Sequence, residues 1–292
     1  MKRSIIALLI ALALLAAACG DSSGGDSGDQ AADGTSDGGG QSCAMADLSL
    51  FAPGKLTVAT GEAVFPPWMM DDDPTNGQGF ESALVYALAD RMGFARDDVE
   101  WVRTGFDQAI APGSKPYDFN IQQFSITPDR DEVVDFSIGY YKVKQALIAY
   151  DDSPVIEATS LSDLADTKLG AAIGTTSLAY IEDFIKPSTP PAVYDTNADA
   201  KAAMDANQVD GLVFDLPTAY FITAVEIPDA SIVGVLPAMS DNPEELGMLF
   251  EEGSPLVPCV NEALQSLIDD GTVASLEEEW LNQGGDIKTL SK

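Results

Sequence analysis

Residues 118–130 read Asp-Phe-Asn-Ile-Gln-Gln-Phe-Ser-Ile-Thr-Pro-Asp-Arg. The run 118–124 reads as a β-strand. Thr127 then supplies an N-cap and Pro128 a first helical position, because proline lacks only an N–H that would have no partner there. Arg130 therefore falls one helical turn beyond the strand's carboxyl end. A strand that feeds a helix and leaves a charged side chain at the junction is the repeating unit of an α/β fold.

The same succession extends in both directions. Upstream, 55–60 is a short β-branched strand, and Phe80, Ala83, Leu84, Ala87, Leu88 and Met92 recur at helical spacing before Gly93. Residues 99–103 read as a strand. Downstream, 146–150 and 168–173 are strands, the second running into Gly174-Thr175-Thr176. A helix with Leu178, Ile181, Phe184 and Ile185 on one face follows. Residues 198–206 read as helix, 211–214 as strand, 216–223 as helix and 231–236 as strand, with helices over 256–268 and 272–281. The alternation implies an α/β fold with largely parallel sheets. No repeat of about 20–50 residues is visible, which argues against a solenoid or propeller.

Composition narrows the function. The 292 residues carry 47 Asp+Glu against 15 Lys+Arg, a formal net charge of −32, and no His. Residues 202–287 hold no Lys or Arg at all. Nucleic acid and anionic membrane surfaces are poor partners for such a chain, since both need cations to neutralise them. Without His there is no Ser-His-Asp triad, no Cys-His pair and no His-ligated metal. A hydrophobic content of 46% argues against a wholly disordered chain, and the length suits one or two domains.

The N-terminus reads as an address. Lys2 and Arg3 precede an unbroken apolar run of 14 residues, 5–18. A membrane-spanning helix needs about 20, so 1–18 reads as a signal peptide. Ala16-Ala17-Ala18 before Cys19 fits either an ordinary signal-peptidase site or the lipobox of a bacterial lipoprotein. The Gly-, Ser- and Asp-rich stretch that follows favours the second, because it cannot bury apolar surface and suits a tether with an anchored end. Residues 19–50 are therefore expected to be a lipidated Cys19 and its disordered tether. The remaining Cys43 and Cys259 are expected to form one disulfide in an oxidising compartment, clamping the start of the globular part to its tail.

Open α/β sheets bind ligands beyond the carboxyl ends of their strands. Four such ends carry chemistry: Glu62 to Trp68, Gln122 to Arg130, Gly174-Thr175-Thr176, and Phe214-Asp215. Together they suit a zwitterion. Arg130 offers a bidentate fork for a carboxylate, and Thr175 and Thr176 offer a helix N-terminus. Asp215, Ser125 and an oxygen near Gln123 offer acceptors for an ammonium. Phe65 and Trp101 are candidates for an apolar slot. Taken singly, each is as readily a surface ion pair, a helix cap or a core residue. Asp71-Asp72-Asp73 lacks the alternation of a calcium loop and reads as an acidic turn. No cofactor or metal is expected.

The pieces resemble, as a set, the family 3 solute-binding proteins of bacterial amino-acid ABC transporters. The resemblance covers about 55–285. It is carried by Phe65-Pro-Pro-Trp68, Gly79-Phe80-Glu81, Phe124-Ser-Ile-Thr-Pro-Asp-Arg130 followed by Val134-Asp-Phe-Ser137, Tyr140-Tyr141, Gly174-Thr-Thr176, Val213-Phe-Asp215, Pro255-Leu-Val-Pro-Cys259 and Glu279-Trp280-Leu281.

This likeness implies a type II periplasmic-binding-protein clamshell, each lobe a mixed sheet flanked by helices. Lobe 1 would comprise 51–146 and 237–292, lobe 2 would comprise 147–236, and hinge strands would lie near 146–150 and 231–236. It also implies that Arg130 holds a ligand carboxylate with help from Thr176, and that Asp215 holds the ammonium. Glu62 would meet a basic side chain, flanked by Phe65 and Trp101. Gln123 stands where such binders tend to carry a small hydroxyl residue, and would suit a polar ligand such as glutamine.

The implied function is capture of a polar or basic L-amino acid and delivery to permease subunits by hinge closure. The protein would be a non-enzymatic monomer outside the cytoplasm, anchored by lipid on Cys19. Two alternatives differ in class: a dehydratase-like enzyme on this fold acting on a small carboxylic acid through Glu62 or Glu81, and a ligand-sensing lipoprotein not coupled to transport.

Overall fold

The computed structural model describes residues 42–238, 240–281 and 285–292. The expected signal peptide 1–18, Cys19 and the tether up to residue 41 lie outside the described residues. Ser42–Lys292 cluster as one unit, within which two five-stranded sheets face a common cleft.

The first sheet is built on β1 (Leu56–Gly61), whose six side chains are all buried. It runs parallel to β2 (Val99–Thr104) and to the short β3 (Phe119–Asn120). The sheet continues through β12 (Leu249–Glu251), antiparallel to both β3 and β4 (Val134–Phe136). Helix α1 (Phe80–Arg91) packs against α7 (Val257–Asp269) and α8 (Thr272–Trp280). The core they enclose centres on Trp68, Phe80, Leu84, Leu88, Phe119, Phe250 and Leu264. Cys43 and Cys259 are disulfide-bonded with Cα atoms 5.3 Å apart, tying the first described residues to α7 as expected.

The chain enters the second lobe through β5 (Tyr141–Val143) and β6 (Gln145–Tyr150). Strand β6 lies antiparallel to β9 (Gly211–Asp215) and to β10 (Ala230–Val235). Strand β7 (Leu169–Ala172) is parallel to β8 (Ala192–Tyr194) and β9. Successive residues of β6 enter different cores: Leu147 and Ala149 pack on one face, Ala146 and Ile148 on the other. A sheet covered on both faces requires this near-continuous apolar run. After β10 the chain returns through β11 (Glu244–Leu246), which pairs with β5, and enters β12. The result is the expected pair of mixed-sheet lobes linked by two crossings.

Two local features depart from the sequence reading. The strand expected over 118–124 pairs only at Phe119–Asn120, because Gln123 turns out of the sheet at φ 52°. The strands expected near the hinges, 146–150 and 231–236, are β6 and β10, paired with each other in the second sheet, with Ala146 opposite Val235. The C-terminal residues expected in lobe 1 in fact close on lobe 2: Thr289 bridges Val235, Ser291 bridges Ser160, and Leu290 is buried in that lobe's core. Gly234 permits this approach, since a Cβ there would meet Leu290 at 2.9 Å. Among the described residues, no helix is long and apolar enough to cross a membrane.

Candidate ligand-binding cleft

Local sequence places the side chains of the second lobe. Thr175 caps α4 (Thr176–Tyr180), its hydroxyl accepting from Leu178 N at 3.2 Å. Asp215 caps α6 (Leu216–Phe221), its two oxygens accepting from Thr218 N at 2.9 Å and Thr218 Oγ1 at 2.7 Å. Both caps point a helix N-terminus at the cleft. Thr218 Oγ1 also accepts from Trp68 Nε1 at 2.9 Å, so a first-lobe tryptophan supports the second-lobe acid.

In the first lobe, α3 (Pro128–Asp131) begins where expected, with Thr127 Oγ1 accepting from Arg130 N. Arg130 is buried, with only 8% of its surface exposed. Its Nη1 donates to Ser125 O at 2.7 Å, and its Nη2 crosses the cleft to Gly174 O at 2.8 Å. The Phe106 ring of α2 (Phe106–Ile110) lies 5.4 Å from the guanidinium. Burial pulls the Arg130 pKa down, while Glu244 and Asp107 pull it back.

Gln123 owes its left-handed backbone to a buried acid. Glu81, wholly buried on α1, accepts from Gln123 N at 2.8 Å, from Gln123 Nε2 and from Tyr140 Oη at 2.5 Å. Desolvation raises the Glu81 pKa to about 7 against the pull of these bonds. Desolvation likewise raises Asp215 to about 6, with Glu244 adding to the rise.

These walls enclose a cavity of about 500 Å³. Of the residues proposed from sequence, Glu62, Phe65, Gln123, Ser125, Arg130, Thr175, Thr176 and Asp215 line it together. Trp101 does not. It sits on the outer strand β2, where its Nε1 donates to Tyr86 Oη at 3.1 Å and its ring packs edge-on against Tyr86. Besides Phe65, the described lining includes Phe214 and Phe106, the latter stacked on Phe124 at 4.7 Å. Phe106 follows directly after β2, so the strand-end rule that singled out Gln122 to Arg130 applies to it equally. Glu81 lies beneath Gln123 rather than on the cavity wall.

Two further residues went unnoticed in the sequence. Gln145 and Glu244 join the hydroxyls of Ser125 and Thr176 in one cluster, and no local motif marks either. Among the described residues that line it, the wall is strongly acidic, with Glu62, Asp107, Asp195 and Asp215 against Arg130; Lys201 Nζ lies 5.9 Å from the centre of the Phe65 ring. Among the described residues, no group of three His, Cys, Asp or Glu side chains is placed to hold a metal ion.

Comparison with known proteins agrees with this architecture. The family model for bacterial extracellular solute-binding proteins, family 3, matches residues 56–283. The ABC transporter arginine-binding protein 1 of Escherichia coli K12 is 26% identical, covering 76% of this chain and 88% of its own. The arginine-binding extracellular protein ArtP of Bacillus subtilis 168 is 27% identical over 69% of this chain and 77% of its own. A solved ancestral arginine-binding protein bound to arginine superposes with a TM-score of 0.65 at 29% identity, covering 78% of this chain and 99% of that one. An ancestral amino acid-binding protein described as a precursor of cyclohexadienyl dehydratase gives 0.64 at 30% identity, covering 78% and 96%.

Proposed function

Because the chain belongs to the bacterial extracellular solute-binding proteins, family 3, we propose that it captures a cationic L-amino acid in the cleft and passes it to a membrane permease in the closed form. The observation that carries this reading is the charge of the cavity wall, four carboxylates against Arg130 among the described lining residues. An α-carboxylate satisfies Arg130, and an α-ammonium satisfies Asp215. A second positive charge on the side chain offsets the remaining acids, with Glu62 its partner and Phe65 and Phe106 flanking its stem.

The ligand touches both lobes: Arg130 and Ser125 belong to one, Thr176 and Asp215 to the other. It therefore binds the closed form better and shifts the equilibrium toward it. A micromolar ligand needs about −8 kcal/mol, within reach of two buried charged ends and an aromatic slot. Delivery to an ABC permease, attachment by lipid on Cys19 and a monomeric state belong to the same reading, as does a location outside the cytoplasm.

Gln123 lines the cavity while its amide nitrogen donates to the buried Glu81, which leaves its side-chain carbonyl as the group to meet a polar ligand such as glutamine, the second reading. The enzymatic alternative rests on Glu62, because Glu81 is sealed beneath Gln123. The test is a thermal-shift and calorimetric comparison of L-arginine, L-lysine, L-glutamine and L-glutamate. At 100 times its Kd a ligand adds about 2.7 kcal/mol. A shift with arginine or lysine supports the cationic reading; a shift with glutamine alone replaces it.

A further inference from the structure

We propose that Glu244 is a built-in competitor for the ligand's carboxylate: its side chain occupies the hydroxyl cluster between the lobes, and an incoming amino acid must displace it. This rests on reading the cleft as an amino-acid site.

Glu244 begins β11, immediately after the second crossing between lobes. Its Oε1 accepts from Ser125 Oγ at 2.6 Å and from Thr176 Oγ1 at 2.6 Å. Gln145 Nε2 lies 3.4 Å from the same oxygen and 3.3 Å from the other. Ser177 Oγ donates to Gln145 Oε1 at 2.7 Å and so turns the amide nitrogen toward the carboxylate. The donors come from both lobes, Ser125 from the first and Thr176 and Gln145 from the second. Gathering donors from both lobes around one carboxylate is what the α-carboxylate of an amino acid requires of this cleft.

The backbone fixes this placement. Glu244 is in register with Val143, Ile126 N donates to Glu245 O at 2.9 Å, and Leu246 bridges Ser125. Glu244 is also close enough to favour the charged form of Arg130 and to disfavour ionisation of Asp215. The guanidinium itself bonds carbonyls rather than Glu244. A glutamate serving only as a solvated loop acid has no reason to meet Ser125 and Thr176 together.

The consequence is specificity. An amino acid has to displace Glu244 before its carboxylate reaches Ser125 and Thr176, whereas an amine without a carboxylate leaves Glu244 in place and uses its negative charge. By bonding Ser125 of one lobe and Thr176 of the other, Glu244 bridges the lobes as a ligand would, which favours closure without one. The occupied cluster lowers the apparent affinity for amino acids by the fraction of molecules in which it is filled.

The experiment uses the wild-type protein with Glu244→Ala and Glu244→Gln variants. Calorimetry is run with L-arginine and with agmatine, its decarboxylated counterpart. X-ray scattering is run without ligand. Removal of Glu244 is expected to tighten L-arginine about tenfold relative to agmatine, the scale of one charge-assisted hydrogen bond. Glu244→Gln, which keeps the side chain's shape, falls between. Affinities for the two probes that move together, leaving their ratio unchanged, overturn the proposal, because Glu244 then acts only through its field. If the wild type binds neither probe, the cationic reading fails separately and scattering decides: an enlarged radius of gyration in Glu244→Ala supports the bridge, and an unchanged one overturns it.

Discussion

Arg130 and Asp215 face the same cavity from opposite walls, and they are held there in different ways. Asp215 is fixed by its own neighbourhood: its oxygens cap α6 through Thr218, three residues on. Arg130 is fixed by the fold: one nitrogen reaches Ser125 O and another reaches Gly174 O, 44 residues away on the other lobe. Gln123, beside it, depends on Glu81 in the same non-local way. The wall from lobe 2 is thus a set of helix caps that survive as local motifs. The wall from lobe 1 is a set of side chains shaped by burial and by distant partners. Changes on the first wall should spread into stability, whereas changes on the second can be confined to binding.

The scaffold offers the largest test. Replacing Cys43 and Cys259 by serine should cost about 2–5 kcal/mol in urea denaturation, since the bond closes a loop spanning 216 positions that includes all of lobe 2. A loss below this range would mean that α7 is held by packing alone. Next, Arg130→Ala should weaken amino-acid binding by at least about 2–3 kcal/mol in calorimetry, because it leaves a buried carboxylate unpaired. Unchanged affinity would remove Arg130 from the site.

Asp215→Asn sharpens the contrast, because asparagine is as good an N-cap as aspartate. Stability should change by about 0.5 kcal/mol or less, while ammonium binding should weaken by about 1.5–3 kcal/mol. Equal losses in both would make Asp215 a cap and nothing more.

The two raised carboxyls predict a pH signature with opposite signs for stability and binding. Glu81 and Asp215 hold protons more tightly in the folded chain, with pKa values raised to about 7 and about 6. Their contribution to the stability of the empty protein is therefore complete below about pH 4, and is lost as pH rises through 6 and 7. Binding of an ammonium runs the other way. It should weaken as pH falls through about 6, where Asp215 takes up its proton, and Asp215→Asn should flatten that dependence.

The smallest effect distinguishes two aromatics of lobe 1. Trp101→Phe should leave affinity within about 0.5 kcal/mol, as expected for a change outside a site. Phe106→Ala should cost about 1 kcal/mol or more through the lost ring contact. A reversal would return Trp101 to the cleft.

The α/β alternation, the caps at Thr127, Thr175 and Asp215, and the pairing of Cys43 with Cys259 were all legible in the sequence. Each depends on residue types a few positions apart, or on simple counting. Trp101 was misplaced because an aromatic in a strand looks the same whether it faces a cleft or a neighbouring tyrosine. Phe106 was missed although it follows a strand end. Nothing near Glu244 announced its role, since it is one acid in a long stretch without Lys or Arg.

By itself, then, the sequence determined where strands give way to helices, which residues cap them, and that any ligand must suit an acidic chain without His. Periodicity and capping act over a turn or two of chain, and charge is additive, so both can be read without coordinates. Only the tertiary structure decided that Gln123 adopts a left-handed backbone over a buried Glu81, that Leu290 closes on Gly234 of lobe 2, and that Glu244 meets Ser125 and Thr176. Those outcomes depend on which distant groups are excluded from water together. Desolvation, which raises a carboxyl's pKa and makes an unpaired donor costly, is a property of the packed molecule and has no local signature in the chain.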